Sequence, residues 1–128
     1  RSTLFPYTTL FRSRSRENVG EVIFVHVIEG VRGDDELLEN KEMAEDMLVE
    51  LCSEMQNFGI KSRYVIADGG AASKEICKLA EEENCSIVIT GKTGAGPIKG
   101  LLMGSTAQNI LLNSGRTLWV MPDEESDE

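Results

Sequence analysis

Residues 86–106 read SIVITGKTGAGPIKGLLMGST, and their reading decides the fold. Ser86, Ile87, Val88, Ile89 and Thr90 make a short apolar, β-branched run, the signature of a strand buried on both faces. Glycines then recur from Gly91 to Gly104, and Ser105 opens an apolar-periodic stretch that ends near Gly115. The order is strand, glycine-rich loop, helix. In an open α/β sheet that loop sits at the carboxyl end of a strand, where ligands bind. The spacing predicts a helix over 105–113, whose first amides and positive dipole end suit an anion.

Working outward, residues 21–29 (EVIFVHVIE) form a second buried strand. Residues 30–35 turn, and Asp34 or Asp35 is placed to cap the next helix. There Ala44, Met47, Leu48, Leu51, Cys52, Met55 and Phe58 share a face, with Met43, Met47 and Met55 assigned to core packing. Gly59 stops that helix. Residues 60–67 are a strand, Asp68-Gly69-Gly70 a turn, and residues 73–84 a helix burying Ile76, Leu79 and Ala80. Residues 117–121 (TLWVM) are the last strand. Alternating strands and helices imply a three-layer α/β/α domain with a mostly parallel sheet and right-handed crossovers.

The chain has 128 residues, one domain's worth, with 13 basic and 22 acidic side chains and a net charge of −9. A broad nucleic-acid-binding face needs clustered Lys and Arg, so none is expected. No apolar run approaches the ~20 residues that span a bilayer, so no direct membrane contact is expected, and a cytoplasmic location is. Cys52, Cys77 and Cys85 match no metal spacing and read as reduced, partly buried thiols. His26, the one histidine, reads as a structural strand residue rather than a catalytic one.

Two familiar phosphate motifs fail. Gly91-Lys92-Thr93 resembles the end of a Walker A loop, but Ser86 stands where that loop needs a glycine. A dinucleotide fingerprint starting at Gly94 would need a glycine at Lys99. A third pattern matches: Gly91-x2-Gly94-x9-Gly104-Ser105. This spacing, with the flanking strings FVHVIE and KLAEEENCSIVITG, resembles the ATP-binding branch of the universal stress protein family over roughly residues 19–122.

The resemblance implies an adenine-nucleotide-hydrolase-like fold that holds ATP or another adenine nucleotide, with or without Mg. Thr90 and Gly91 would line the ribose and adenine side, and Val27 would pack on the base. Gly94 would let the loop pass close to the phosphates. Gly104, Ser105 and Thr106 would donate amides, and the Ser105 hydroxyl, to phosphate oxygens. Ser105 also reads as a plain helix N-cap, a role compatible with the first. Lys92 and Lys99 are either phosphate partners or ordinary loop lysines. No catalytic residue and no metal ligand is assigned; slow ATP hydrolysis stays open. The last strand (Thr117, Leu118, Trp119, Val120, Met121) reads as an edge, and the resemblance implies a homodimer through it.

Residues 1–13 read RSTLFPYTTLFRS and resemble a translated sequencing adapter. Residues 1–16 are therefore set aside as a non-native segment, disordered or extended, leaving 17–122 as a partial domain and 123–128 as an acidic disordered tail. The family's first strand and helix are absent on this reading, so the expectation is a poorly folding fragment that binds ATP weakly or not at all. The alternatives are a cytosolic regulatory domain of a larger protein such as a transporter, a dimerisation module that binds no nucleotide, and an enzyme of the wider adenine-nucleotide-hydrolase-like group.

Overall fold

In the computed structural model, residues 8–14, 19–30, 33–91 and 103–122 are described. The elements run β1 (Thr8–Arg14), β2 (Val19–Ile28), α1 (Asp34–Asn57), β3 (Lys61–Asp68), α2 (Ala72–Glu82), β4 (Ile87–Gly91), α3 (Ser105–Asn113) and β5 (Thr117–Met121). The five strands form one sheet in the order β3-β2-β1-β4-β5. β2 pairs with β3 in parallel, and β4 with β5. The three-layer, mostly parallel architecture matches the sequence reading.

β1 is the exception in direction. It runs antiparallel to both neighbours, with Thr9 opposite Phe24 on β2 and Ile89 on β4. Thus part of the segment that resembles an adapter lies in the centre of the sheet. Physical reasons are visible in its composition. Thr8, Thr9, Leu10 and Phe11 are residues that suit a pleated surface, and the slot has hydrogen-bonding edges on both sides that must be satisfied when buried. Leu10 is fully buried in the main core with Ile23, Val25, Ile76, Ala80, Val88 and Ile110.

The helices divide between the faces. α1 packs on β2 and β3 and buries Ala44 and Leu48. α2 and α3 pack together on the opposite face. Both turns that leave α1 and α2 close in the same way. The amide of Gly59 (φ +72°) donates to the Gln56 carbonyl and that of Ile60 to the Met55 carbonyl. After α2, Asn84 (φ +50°) and Cys85 donate likewise to Glu81 and Ala80. This is the left-handed helix stop that glycine or asparagine supplies.

Some local expectations are corrected. Phe58 and Met43 are 76% and 66% exposed, not core: Phe58 caps α1, and Met43 falls on the helix's solvent side. Neither Asp34 nor Asp35 caps α1; Gly33 holds that position, and the acidic residues occupy the first turn. α2 begins at Ala72 and ends at Glu82, slightly offset from 73–84. The three cysteines are free, Cys85 buried and the other two partly so.

Candidate functional site

The site is framed by where strands end. Among the described residues β1 begins at Thr8, opposite Val25, and its pairing with β4 reaches Thr9–Ile89. β2 continues past Val25 to Ile28, and β4 past Ile89 to Gly91. At this carboxyl edge, Val27 and Thr90 lie beyond the described pairing of β1, and Thr90 is buried. The strands that carry them, β2 and β4, are two strand spacings apart, about 10 Å. Each residue lies two positions beyond a core residue of the same face, Val25 and Val88, so both face α2 and α3. Chain direction reverses here too: β2 leads outward to β3, β4 to β5. That is a topological switch point, the place where doubly wound sheets bind ligands.

α3 returns antiparallel to β4 and brings its N-terminus to this edge. Gly104 is the N-cap, in extended backbone, and its carbonyl accepts the Gln108 amide at 3.0 Å. Ser105 is therefore the first helical residue rather than the cap. Its hydroxyl makes no capping bond, because a side chain in the helix's first turn no longer projects back over the free amides. Gln108 Nε2 donates to the Met103 carbonyl at 2.7 Å and ties the approach to the helix. Thr106 is half-buried and Ser105 exposed. Gly94, Lys92 and Lys99 lie outside the described residues.

The three helix N-termini differ in charge. α1 has Asp34, Asp35 and Glu36 in its first turn. α2 has Glu75, and its Ala72 amide donates to Glu29 Oε2 at 2.8 Å. α3 has no acidic residue in its first turn and no side-chain cap among the described residues. Leading amides of this kind suit water or an anion.

A separate cleft of about 370 Å³ lies along the same edge, between the ends of β2 and β3, lined in part by Glu29, Leu37, Asp68 and Gly70. Asp68 pairs there with Lys41 at 2.7 Å. Two carboxylates make it a poor phosphate site. Sequence reading missed Glu29 as a long-range cap: the contact spans 43 residues and has no local signal. Among the described residues no group of three His, Cys, Asp or Glu side chains could hold a metal.

The universal stress protein family model matches residues 12–122. This chain belongs to the universal stress protein family. Universal stress protein MJ0577 of Methanocaldococcus jannaschii is 31% identical over 91 residues, covering 70% of this chain and 56% of that protein. The chain thus spans a little over half the length of this curated relative. The solved structure of MJ0577 superposes with a TM-score of 0.72 at 29% identity, covering 86% of this chain and 80% of that one. The hypothetical protein PH0823 superposes with a TM-score of 0.65 at 28% identity, covering 84% and 78%. The universal stress protein from Archaeoglobus fulgidus shares the fold, with a TM-score of 0.61 at 20% identity over 78% of this chain and 74% of that one. No helix among the described residues is long and apolar enough to cross a membrane.

Proposed function

We propose that this universal stress protein domain binds an adenine nucleotide, ATP foremost, at the switch point between β2 and β4. The observation that carries the reading is the N-terminus of α3 at that edge, which among the described residues has no side-chain cap and no acidic residue in its first turn. The amides of Ser105 and Thr106, with the extended backbone at Gly104, would hold phosphate oxygens. Gly94 would keep the connecting loop close to them. Thr90 and Gly91 would border the ribose, and Val27 would offer an apolar surface to the base. Bound Mg would come with the phosphates. The reading assigns no catalytic residue.

Energetics limit the affinity. Hydrogen bonds to charged groups contribute about 1.5–3 kcal/mol each, so two or three amides supply roughly half of the ~8 kcal/mol that a micromolar site requires. A dissociation constant near ~1 mM is expected. We assign the protein to the cytoplasm and to a homodimer joined through β5, an edge strand whose Trp119 is 53% exposed.

Amide chemical shifts followed during titration with ATP, tripolyphosphate and adenosine test the nucleotide site. ATP and tripolyphosphate should move residues 104–107, and Gly104→Val should abolish those shifts. Shifts absent at 10 mM ATP, or confined to the Glu29–Asp68 cleft, would overturn the proposal.

A further inference from the structure

β3 is one of the two edges of the sheet. Beside its first half runs a groove of about 700 Å³, closed on one side by the second half of α1. Its two walls differ in chemistry because side chains alternate along the strand. Tyr64 points to the α1 face, where its hydroxyl donates to Glu45 Oε2 at 3.1 Å. Lys61 and Arg63 point to the other face, where Arg63 reaches Glu83 and both lie 3.7 Å from Glu21.

The α1 residues that line the groove are uncharged, and Glu45, one turn before Val49, holds the Tyr64 hydroxyl. Val49, Cys52, Ser53 and Gln56 recur at helical spacing along that wall, in a helix with nine acidic residues out of 24. Val49 is 50% exposed, and Ile60 extends the apolar floor. Among the described residues the charged groups lining the groove are two cations, Lys61 and Arg63, which also face Glu21 and, for Arg63, Glu83, in a chain of net charge −9. Lys61 is 69% exposed and loosely held, so it is free to turn toward another anion.

We propose that this edge accepts an extended peptide of a partner protein as an added strand, and that the peptide alternates apolar and acidic residues. Main-chain hydrogen bonds to an open edge give such a complex affinity, and alternate side chains give it specificity. Apolar residues would lie against Val49 and Ile60, and acidic ones against Lys61 and Arg63. No five-residue stretch of these 128 residues alternates in that way, which favours a different protein over a second copy of this stretch as the occupant.

Fluorescence anisotropy with a labelled nonapeptide of alternating glutamate and valine, added to the full chain, is the test. Saturable binding is expected. It should weaken at least tenfold when lysine replaces glutamate, when proline replaces the central valine, and in the surface variants Lys61→Glu and Val49→Glu. Amide shifts should fall on residues 60–66. Equal binding of the lysine peptide, or shifts on residues 117–121 instead, would refute the proposal. So would β3 shifts that follow protein concentration without peptide, which would mark the groove as a contact between copies. The peptide comparisons use the unmodified chain and do not depend on the variants folding.

Discussion

The Ala72 amide donates to Glu29 Oε2 at 2.8 Å, joining the end of β2 to the start of α2 across 43 residues. A carboxylate at a helix N-terminus satisfies a free amide and opposes the dipole. Ala71, the N-cap, has no side-chain oxygen to do this locally. Glu29→Ala should therefore cost about 0.5–2 kcal/mol, the usual loss for a removed cap. Glu29→Gln keeps an acceptor and should lose less, about 0.3–1 kcal/mol. Urea denaturation of both variants measures the difference, and an unchanged midpoint for Glu29→Ala would show the contact to be idle.

Leu10 tests whether β1 is integral to the core. Its side chain is fully buried among Ile23, Val88 and Ile110. Leu10→Ala should destabilise the domain by about 2–5 kcal/mol, the range for a buried leucine whose cavity does not collapse. Thermal and urea unfolding report the loss. A wild-type midpoint would mean that residues 8–14 do not occupy the centre of the sheet.

Ser105→Asp separates stability from binding. A carboxylate in the first turn of α3 favours the helix dipole and should stabilise by about 0.3–1 kcal/mol. The same charge should repel phosphate and weaken ATP binding at least tenfold. Denaturation and titration on one sample give both signs; binding that survives unchanged would place the phosphates elsewhere.

Partial burial of the Tyr64 phenol pushes its pKa above the ordinary value of 10.0, and the hydrogen bond and charge of Glu45 add to the rise. The folded state then holds this proton at pH values where the unfolded chain has released it. Its contribution to stability is complete below pH ~10 and declines as pH rises through the folded value. Ultraviolet titration of tyrosinate should give a midpoint above 10 for Tyr64, moving down in Glu45→Gln while burial keeps part of the rise.

Much of this architecture was legible in advance. Ile23, Val25 and Val88 sit in apolar β-branched runs, and Gly59 after a long acidic-faced helix is a stop that φ +72° requires. Local stereochemistry encodes such features, so single segments reveal them. The site was legible in part: the order β4, glycine loop, α3 was readable, but the identity of the N-cap was not. Gly104 takes that position and Ser105 enters the helix, a shift of one residue that the spacing of apolar residues does not specify.

By itself, then, the amino-acid order determined the alternation of strands and helices, the parallel pairing and the carboxyl-edge position of the glycine loop. These follow from periodicity and from the chirality of crossovers. Tertiary structure alone decided that Thr8–Arg14 inserts between β2 and β4, that Glu29 reaches Ala72, and that the α1–β3 groove has one neutral and one basic wall. Each depends on which distant groups meet when apolar surface is buried and backbone polar groups find partners, and no local pattern records that.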